Sequence, residues 1–391
     1  MEQTIRYVRT ASGIRLACAT SGDGPPIVKA ANWLNHLEYD WESPVWRHWL
    51  HLFSAERTLV RYDERGCGLS QRDIDGLSFE DCIEDLETVV DALELERFPL
   101  IGISQGGAFA VEYAARHPQR VSHLILAGAF AQGRQRRDQA AKSQQRAMME
   151  LIRYGWAQDT PAFRQAFASI YLPDGSGEQL HWFAELQRRS ATPEMAVSVM
   201  EMTGTIDVAD RLASLEVPTL VVHANEDAAV PQTQGVLLAS EIPGAQYLPL
   251  ESRNHLLLES EAAWPRFCDV VSGFLGLQGA TKSAGTTVRS QTYYVGDYQI
   301  DTARREVRRQ GELIGLEPKA YQLLTYLIEH RDRAVGKDEL QDVLWPKSIV
   351  TESSLSRVIM KARRAIGDDD AQDPMIRTVR GHGYRFVAPV G

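Results

Sequence analysis

Three residues of this 391-residue chain have the types and the order that acyl-transfer chemistry needs: Ser104 inside Gly102-Ile103-Ser104-Gln105-Gly106, Asp227 inside NEDAAVP, and His255 inside ESRNHLLLE. A serine hydroxyl is a weak nucleophile until a histidine takes its proton, and that histidine needs a carboxylate to hold its tautomer and orientation. The chain order serine, acid, histidine is that of a nucleophile elbow followed by its partners. Glu226 stands beside Asp227 as the alternative acid. Gly-x-Ser-x-Gly alone is short enough to arise by chance, and a serine there is equally a small residue in a tight turn. The elements around it must decide.

Residues 99–118, PLIGISQGGAFAVEYAARHP, pass from an apolar run through glycines into a helical pattern. Glycine at 102, 106 and 107 removes the Cβ that would obstruct a sharp strand-to-helix turn. Such a turn lifts the serine Oγ clear of a sheet, beside free N–H groups at a helix N-terminus that favour developing negative charge. Other strand-like runs are PPIVKAA near 25, RTLVRYD near 57, VSHLILAGA near 121, VPTLVVHA near 217 and AQYLPL near 245. Helical segments lie between most of them. In SFEDCIEDLETVVDALEL, Phe79, Ile83, Leu86, Val89 and Val90 repeat at helical spacing behind an N-cap serine, Ser78. The alternation predicts a mostly parallel sheet covered on both faces. Asp227 and His255 then fall just past the C-terminal ends of strands, where open α/β sheets form their ligand crevices. Residues 131–210 are mainly helical and polar, and read as an insertion between two strands.

A chain of this length implies two domains. Its net charge is −10, but the charge is segregated: residues 291–391 are close to neutral and residues 1–290 hold the acidity. Between them GLQGATKSAGTTVRSQ, residues 276–291, has the composition of a linker. This places domains at 1–278 and 293–391 with the linker at 279–292. Cys18, Cys67, Cys82 and Cys268 form no Cys-x-x-Cys pair, so neither a zinc site nor a disulfide framework is expected, and no cofactor motif is read. The absence of an apolar run near 18 residues or a signal-like start leads to the expectation of a cytoplasmic protein without membrane partners.

In the last hundred residues, short strand-like pieces with turn signals at Asp301 and Gln310-Gly311 precede three helical segments. In LEPKAYQLLTYLIEHRDR the residues Tyr321, Leu324, Leu327 and Ile328 share a face, and KDELQDVLWP is stopped by Pro346. In the third, TESSLSRVIMKARRAIGD, Thr351 is the expected N-cap and Leu355, Val358, Ile359, Ala362 and Ile366 make an inner face. Ser353, Ser356, Arg357, Lys361 and Arg364 occupy the outer side. Arginine there pairs with guanine edges in a major groove and lysine neutralises phosphates. The segment IRTVRGHGYRFVAP, residues 376–389, reads as a hairpin with Arg377, Arg380, His382 and Arg385 about its tip. A basic hairpin beside a basic helix reads as a wing beside a groove reader.

These motifs carry two resemblances. Residues 1–278 resemble the α/β-hydrolase family, through the elbow, the two downstream partners and YDERGCGLS, which is similar to the family's structural Asp-x-Arg-Gly-x-Gly-x-Ser turn. The resemblance implies a mostly parallel sheet with a helical cap at about 131–210. It also implies an oxyanion hole from the backbone amides of Trp33 and Gln105, and a ligand pocket at Asn32, Trp33, Ser104 and His255. Ala31-Asn32 stands where the family commonly has His-Gly, and asparagine tolerates the left-handed conformations that glycine favours. Residues 293–389 resemble the OmpR/PhoB-type effector domain, an α+β winged helix-turn-helix, whose loop between the second and third helices, here PKSIV, implies a contact with RNA polymerase. Together they imply a one-component regulator: promoter DNA at one end, a small-molecule effector or ester-like substrate at the other, and a homodimer on paired half-sites. An active serine hydrolase that consumes its own effector is the alternative.

Overall fold

The apolar runs become strands of one eight-stranded sheet. A computed structural model describes residues 2–156, 158, 162–277, 292–301, 306–331, 333–344, 352–368, 374–379 and 382–388. They fall into two compact units, Met1–Ser283 and Ala284–Gly391. The first contains β1 (Gln3–Arg9), β2 (Arg15–Ser21), β3 (Pro26–Lys29), β4 (Thr58–Tyr62), β5 (Phe98–Ile103), β6 (Val121–Ala127), β7 (Thr219–Ala224) and β8 (Gln246–Leu250). Their order is β1-β2-β4-β3-β5-β6-β7-β8. From β4 onward the pairs are parallel, and β2 runs antiparallel to both β1 and β4.

β5 and β7 are buried at every residue, because helices cover both sheet faces. Successive side chains alternate between those faces. Ile101, Ile103, Ile125 and Val222 enter one apolar cluster, and Leu100, Leu124, Leu126 and Val221 enter the other. The helix Phe79–Ala92 begins at Ser78 as expected, with a capping box: the Ser78 hydroxyl accepts from the Asp81 amide, and the Asp81 carboxylate accepts from the Ser78 amide. Between β6 and β7 lie the cap helices Gln139–Gly155, Ala162–Tyr171, Gly177–Ser190 and Pro193–Thr205.

The turn after β4 is structural. The Asp63 carboxylate accepts from the Leu37 and Leu69 amides and from Asn35 Nδ2, and Arg65 binds Asp85, Asp81 and Glu84. Glu64 is fully buried, with Gln105 Nε2 at 3.3 Å from its carboxylate.

The second unit opens with a four-stranded antiparallel sheet of β9 (Thr292–Val295), β10 (Tyr298–Asp301), β11 (Glu306–Arg309) and β12 (Glu312–Ile314). Gln310 and Gly311 both have positive φ, the requirement of a two-residue hairpin turn. Helices Pro318–Glu329, Lys337–Leu344 and Glu352–Ala365 follow, then the hairpin of β13 (Ile376–Val379) and β14 (Gly383–Phe386). The expected inner faces are buried: Tyr321, Leu324, Leu327 and Ile328 on one helix, Leu355, Val358, Ile359 and Ala362 on another, with Ile366 just beyond it. The hairpin is tied to the chain between the first two helices by paired backbone bonds of Val335 and Tyr384, at 2.8 and 2.9 Å. Thr351, the loop 346–350 and all but the last residue of the expected linker lie outside the described residues. Among the described residues no helix is long and apolar enough to cross a membrane.

Burial, reinforced by the negative charge of Asp85, pushes Glu64 up to about 8, and burial likewise pushes Asp63 up to about 8. A carboxyl whose folded pKa is raised holds its proton when the unfolded chain has released it, so its stability contribution is present at acid pH and is lost as pH rises towards 8. We expect Glu64→Gln to flatten this decline and to raise the Tm at pH 8 by at least about 2 °C. Thermal unfolding from pH 5 to pH 8 checks this, and identical slopes for both proteins would refute it.

Candidate functional site

Ser104 follows β5 and caps the helix Gln105–Arg116, with φ 55° and ψ −125°. A non-glycine residue in so sparsely populated a region costs about 1–3 kcal/mol and persists only where its surroundings enforce it. The enforcement is visible on both sides. The Ser104 amide donates to Ala127 O of β6 at 3.0 Å, and the elbow presses against the loop after β3, where a Cβ on Gly106 would lie 2.4 Å from Ala31 O. The Gln105 amide is among the first N–H groups of its helix, which helix geometry leaves without an intrahelical acceptor.

Asp227 and His255 are brought together by the loops after β7 and β8. His255 Nδ1 lies 2.6 Å from Asp227 Oδ2. A carboxylate only accepts, so Nδ1 is the donor and Nε2 is left as the basic nitrogen. That Nε2 is buried and has no hydrogen-bond partner among the described residues. The other carboxylate oxygen of Asp227 accepts from the Ala229 and Val230 amides at 2.8 and 2.9 Å. Burial pushes the Asp227 carboxyl upward, but the His255 charge and these hydrogen bonds outweigh it and hold the carboxyl below its usual range. Glu226, the alternative acid, is exposed and sits 3.9 Å from Arg253. His223, inside β7, was not singled out by sequence reasoning; its Nε2 donates to Val230 O at 3.0 Å, and it lies 3.8 Å from Asp227. A histidine within an otherwise apolar buried strand was the signal available.

A cavity of about 30 Å³ lies at Ser104, lined also by Trp33 and Gln105 and, from the cap, by Arg134, Arg137, Gln145 and Tyr171. Trp33 stacks on Phe167 at 5.5 Å and meets Trp156 edge-on. Two of the expected pocket residues are not in this lining. Asn32 is buried behind it, where its Oδ1 accepts from Lys29 Nζ. His255 is shielded by the ring of Tyr171, edge-on at 5.5 Å. The left-handed residue of the loop is Leu34, φ 46°, and not Asn32. The cap residues were missed, although the cation-rich GRQRRD at the start of the cap marks them.

On the helix Glu352–Ala365, Ser356, Arg357 and Arg364 are exposed, whereas Lys361 is half-buried and paired with Glu317. Arg377 and Arg385 are exposed and directly opposite one another on β13 and β14, and His382 is exposed at the tip. Arg385 also donates to Arg331 O at 3.0 Å. Arg380 and the side chain of Ser353 lie outside the described residues. Arg363, not anticipated, donates to Ile376 O at 2.6 Å and Thr378 Oγ1 at 3.1 Å, which joins the helix to the hairpin.

Residues 37–262 match the family described as alpha/beta hydrolase fold. The chain belongs to the α/β-hydrolase fold family. Residues 311–386 of this α/β-hydrolase-fold chain match a second family, described as transcriptional regulatory protein, C terminal, and form an OmpR/PhoB-type domain that supports DNA binding. The AB hydrolase superfamily protein YisY of Bacillus subtilis is 26% identical over 64% of this chain and 91% of its own length. The transcriptional activator CadC of Escherichia coli is 32% identical over 25% of this chain and 19% of its own. The esterase of Exiguobacterium antarcticum shares the fold with a TM-score of 0.60, at 23% identity, over 70% of this chain and all of its own.

Glycine relieves the backbone strain at position 104 and alanine does not. We expect Ser104→Gly to be more stable than Ser104→Ala by about 1–3 kcal/mol. Denaturant unfolding of the two variants measures the difference, and equal stabilities would mean the elbow is unstrained.

Proposed function

We propose that the chain is a one-component transcription regulator whose winged helix holds promoter DNA and whose hydrolase domain receives a small-molecule effector in the cavity at Ser104. The observation that carries this reading is the presence, in one chain, of a cavity ending on a strained serine and of a helix with Ser356, Arg357 and Arg364 on its outer face. The arginines suit guanine edges and phosphates in a major groove, and Arg377, His382 and Arg385 suit the backbone beside it. Effector and DNA are coupled only if the effector binds the DNA-competent state with a different affinity. Paired half-sites about 10–11 base pairs apart suit a homodimer, and the loop 346–350 is the segment offered to RNA polymerase.

A specific observation favours a second reading, hydrolysis of an ester-like effector: the His255–Asp227 pair is formed through Nδ1, which leaves Nε2 as the nitrogen able to take a proton, although no hydrogen bond joins it to Ser104 in this structure. In this reading Ser104 Oγ attacks the ester carbonyl as Nε2 takes its proton. The amides of Gln105 and Trp33 hold the oxyanion, and the imidazolium returns the proton to the departing alkoxide. Water then repeats the cycle on the acyl-enzyme. Loss of one oxyanion donor in such a site costs roughly 3–4 kcal/mol.

Two measurements on the full chain test these readings. Arg357→Ala with Arg364→Ala should weaken retention of the chain's own upstream DNA by about tenfold or more, and reduce the salt slope by up to about 2 if each arginine neutralises one phosphate. Unchanged retention would contradict the DNA assignment. Turnover of 4-nitrophenyl acetate that disappears in Ser104→Ala would support hydrolysis, and turnover that persists would contradict it.

A further inference from the structure

The first arm of the cap, residues 131–155, carries the cations Arg134, Arg136, Arg137, Lys142, Arg146 and Arg153 against the acids Asp138 and Glu150, within the acidic half of the chain. Two of these cations, Arg134 and Arg137, line the cavity that ends on Ser104. Their hydrogen bonds go to neutral oxygens: Arg134 donates to Ala229 O and Arg137 to Gln132 O, each at 2.6 Å. Arg137 also lies over the Phe130 ring at 5.5 Å. Burial, and then the positive charge of Arg134, holds Arg137 down to about 10. Asp138 and Asp227 offset that repulsion at longer range, but among the described residues neither Arg134 nor Arg137 is hydrogen-bonded to a carboxylate, so a bound anion would be their first directly paired charge.

A second observation is independent of charge. Trp33 and Gln145 also line the cavity, and the indole Nε1 of one and the Oε1 of the other are buried without partners among the described residues. Buried polar atoms are nearly always hydrogen-bonded, so the Trp33 N–H marks where an acceptor oxygen of a ligand fits, whereas the Gln145 oxygen, which only accepts, marks room for a donor and not for a carboxylate or ester oxygen. The Gln145 amide is held by its Nε2, which donates to Met200 O at 2.8 Å. Gln145 also borders a broader cleft of about 880 Å³ that includes Lys142 and Arg146 against the one acid Glu201, so an excess of positive charge continues outward beyond the inner cavity.

We propose that this cavity takes a small acyl compound bearing a carboxylate, with the carboxylate on Arg134 and Arg137 and the acyl carbon at Ser104. The planar guanidinium fork pairs bidentately with a carboxylate, and the Trp33 N–H and Ser104 lie on the same cavity, where the acyl group would sit. The inference rests on the reading of the cavity as the effector site and does not require turnover. The cations of the outer cleft also raise the local concentration of an anionic ligand in a domain that otherwise repels it.

The test is calorimetric titration of the full chain carrying Ser104→Ala, which prevents hydrolysis, with monomethyl glutarate, its neutral counterpart dimethyl glutarate, and inorganic phosphate. The monoester is expected to bind at least tenfold more tightly than the diester. In this background Arg137→Gln, alone or with Arg134→Gln, should erase that preference, and Arg137→Lys, which keeps the charge but not the planar fork, should retain only part of it. Unchanged far-ultraviolet circular dichroism separates loss of the site from loss of the fold, and the single variant covers failure of the double one. Diester binding equal to or tighter than that of the monoester overturns the proposal, as does phosphate binding more tightly than the monoester. Binding of neither ester also overturns it. Serine-dependent turnover of neutral nitrophenyl esters by the wild-type chain would then leave the hydrolytic reading standing, so the two failures are distinguishable.

Discussion

The backbone of Ser104 is the constraint on which the hydrolase half depends. A serine at φ 55° and ψ −125° is held by its neighbours, and those neighbours are the main parts of the fold. β6 accepts its amide, the loop after β3 lies against Gly106 of the elbow, and the following helix places the Gln105 amide at its first turn. Strain maintained by so many contacts points to a site shaped for chemistry or tight binding, because a turn of no consequence would relax. The same sheet sets the loops after β7 and β8 so that Asp227 and His255 meet, although 28 residues separate them along the chain.

Buried charge is arranged differently around the elbow and in the cavity. Beneath the elbow, the turn after β4 gathers Asp63, Glu64 and Asp85, and its acidity is contained by amides, by Arg65 and by raised pKa values. Above it, the cap brings Arg134 and Arg137 to the cavity with neutral oxygens as their partners. Neither of these two cations is hydrogen-bonded to a carboxylate among the described residues, although Asp138 and Asp227 act on Arg137 at longer range. In the second unit, Arg363 is consumed by the hairpin and Lys361 by Glu317, whereas Arg357 and Arg364 remain on the exposed face.

Much of this is legible in the sequence alone. Apolar runs mark β3 to β8, because most of their residues are buried and the polar ones, such as Arg61 in β4 and His223 in β7, are too few to break the pattern. β1 and β2 were missed for the opposite reason: β1 is an edge strand with half-exposed side chains, and β2 is built largely of small residues. Ser104, Asp227 and His255 could be read because chain order and loop position constrain them together. The cavity lining could not, since Arg134, Arg137, Gln145 and Tyr171 become neighbours of Ser104 only through the folding of the cap, and no local spacing encodes that approach. Asn32 was misplaced because loop position alone does not show that Lys29 holds its side chain away from the cavity.

The most direct test of the proposed Ser104 site, in which the serine is a nucleophile served by His255 and Asp227, is covalent labelling of the intact chain with a fluorophosphonate, followed by peptide mass spectrometry. The account predicts one adduct per chain, on Ser104, strongly reduced when His255 is replaced by alanine. No adduct, or modification of another serine in its place, would contradict it.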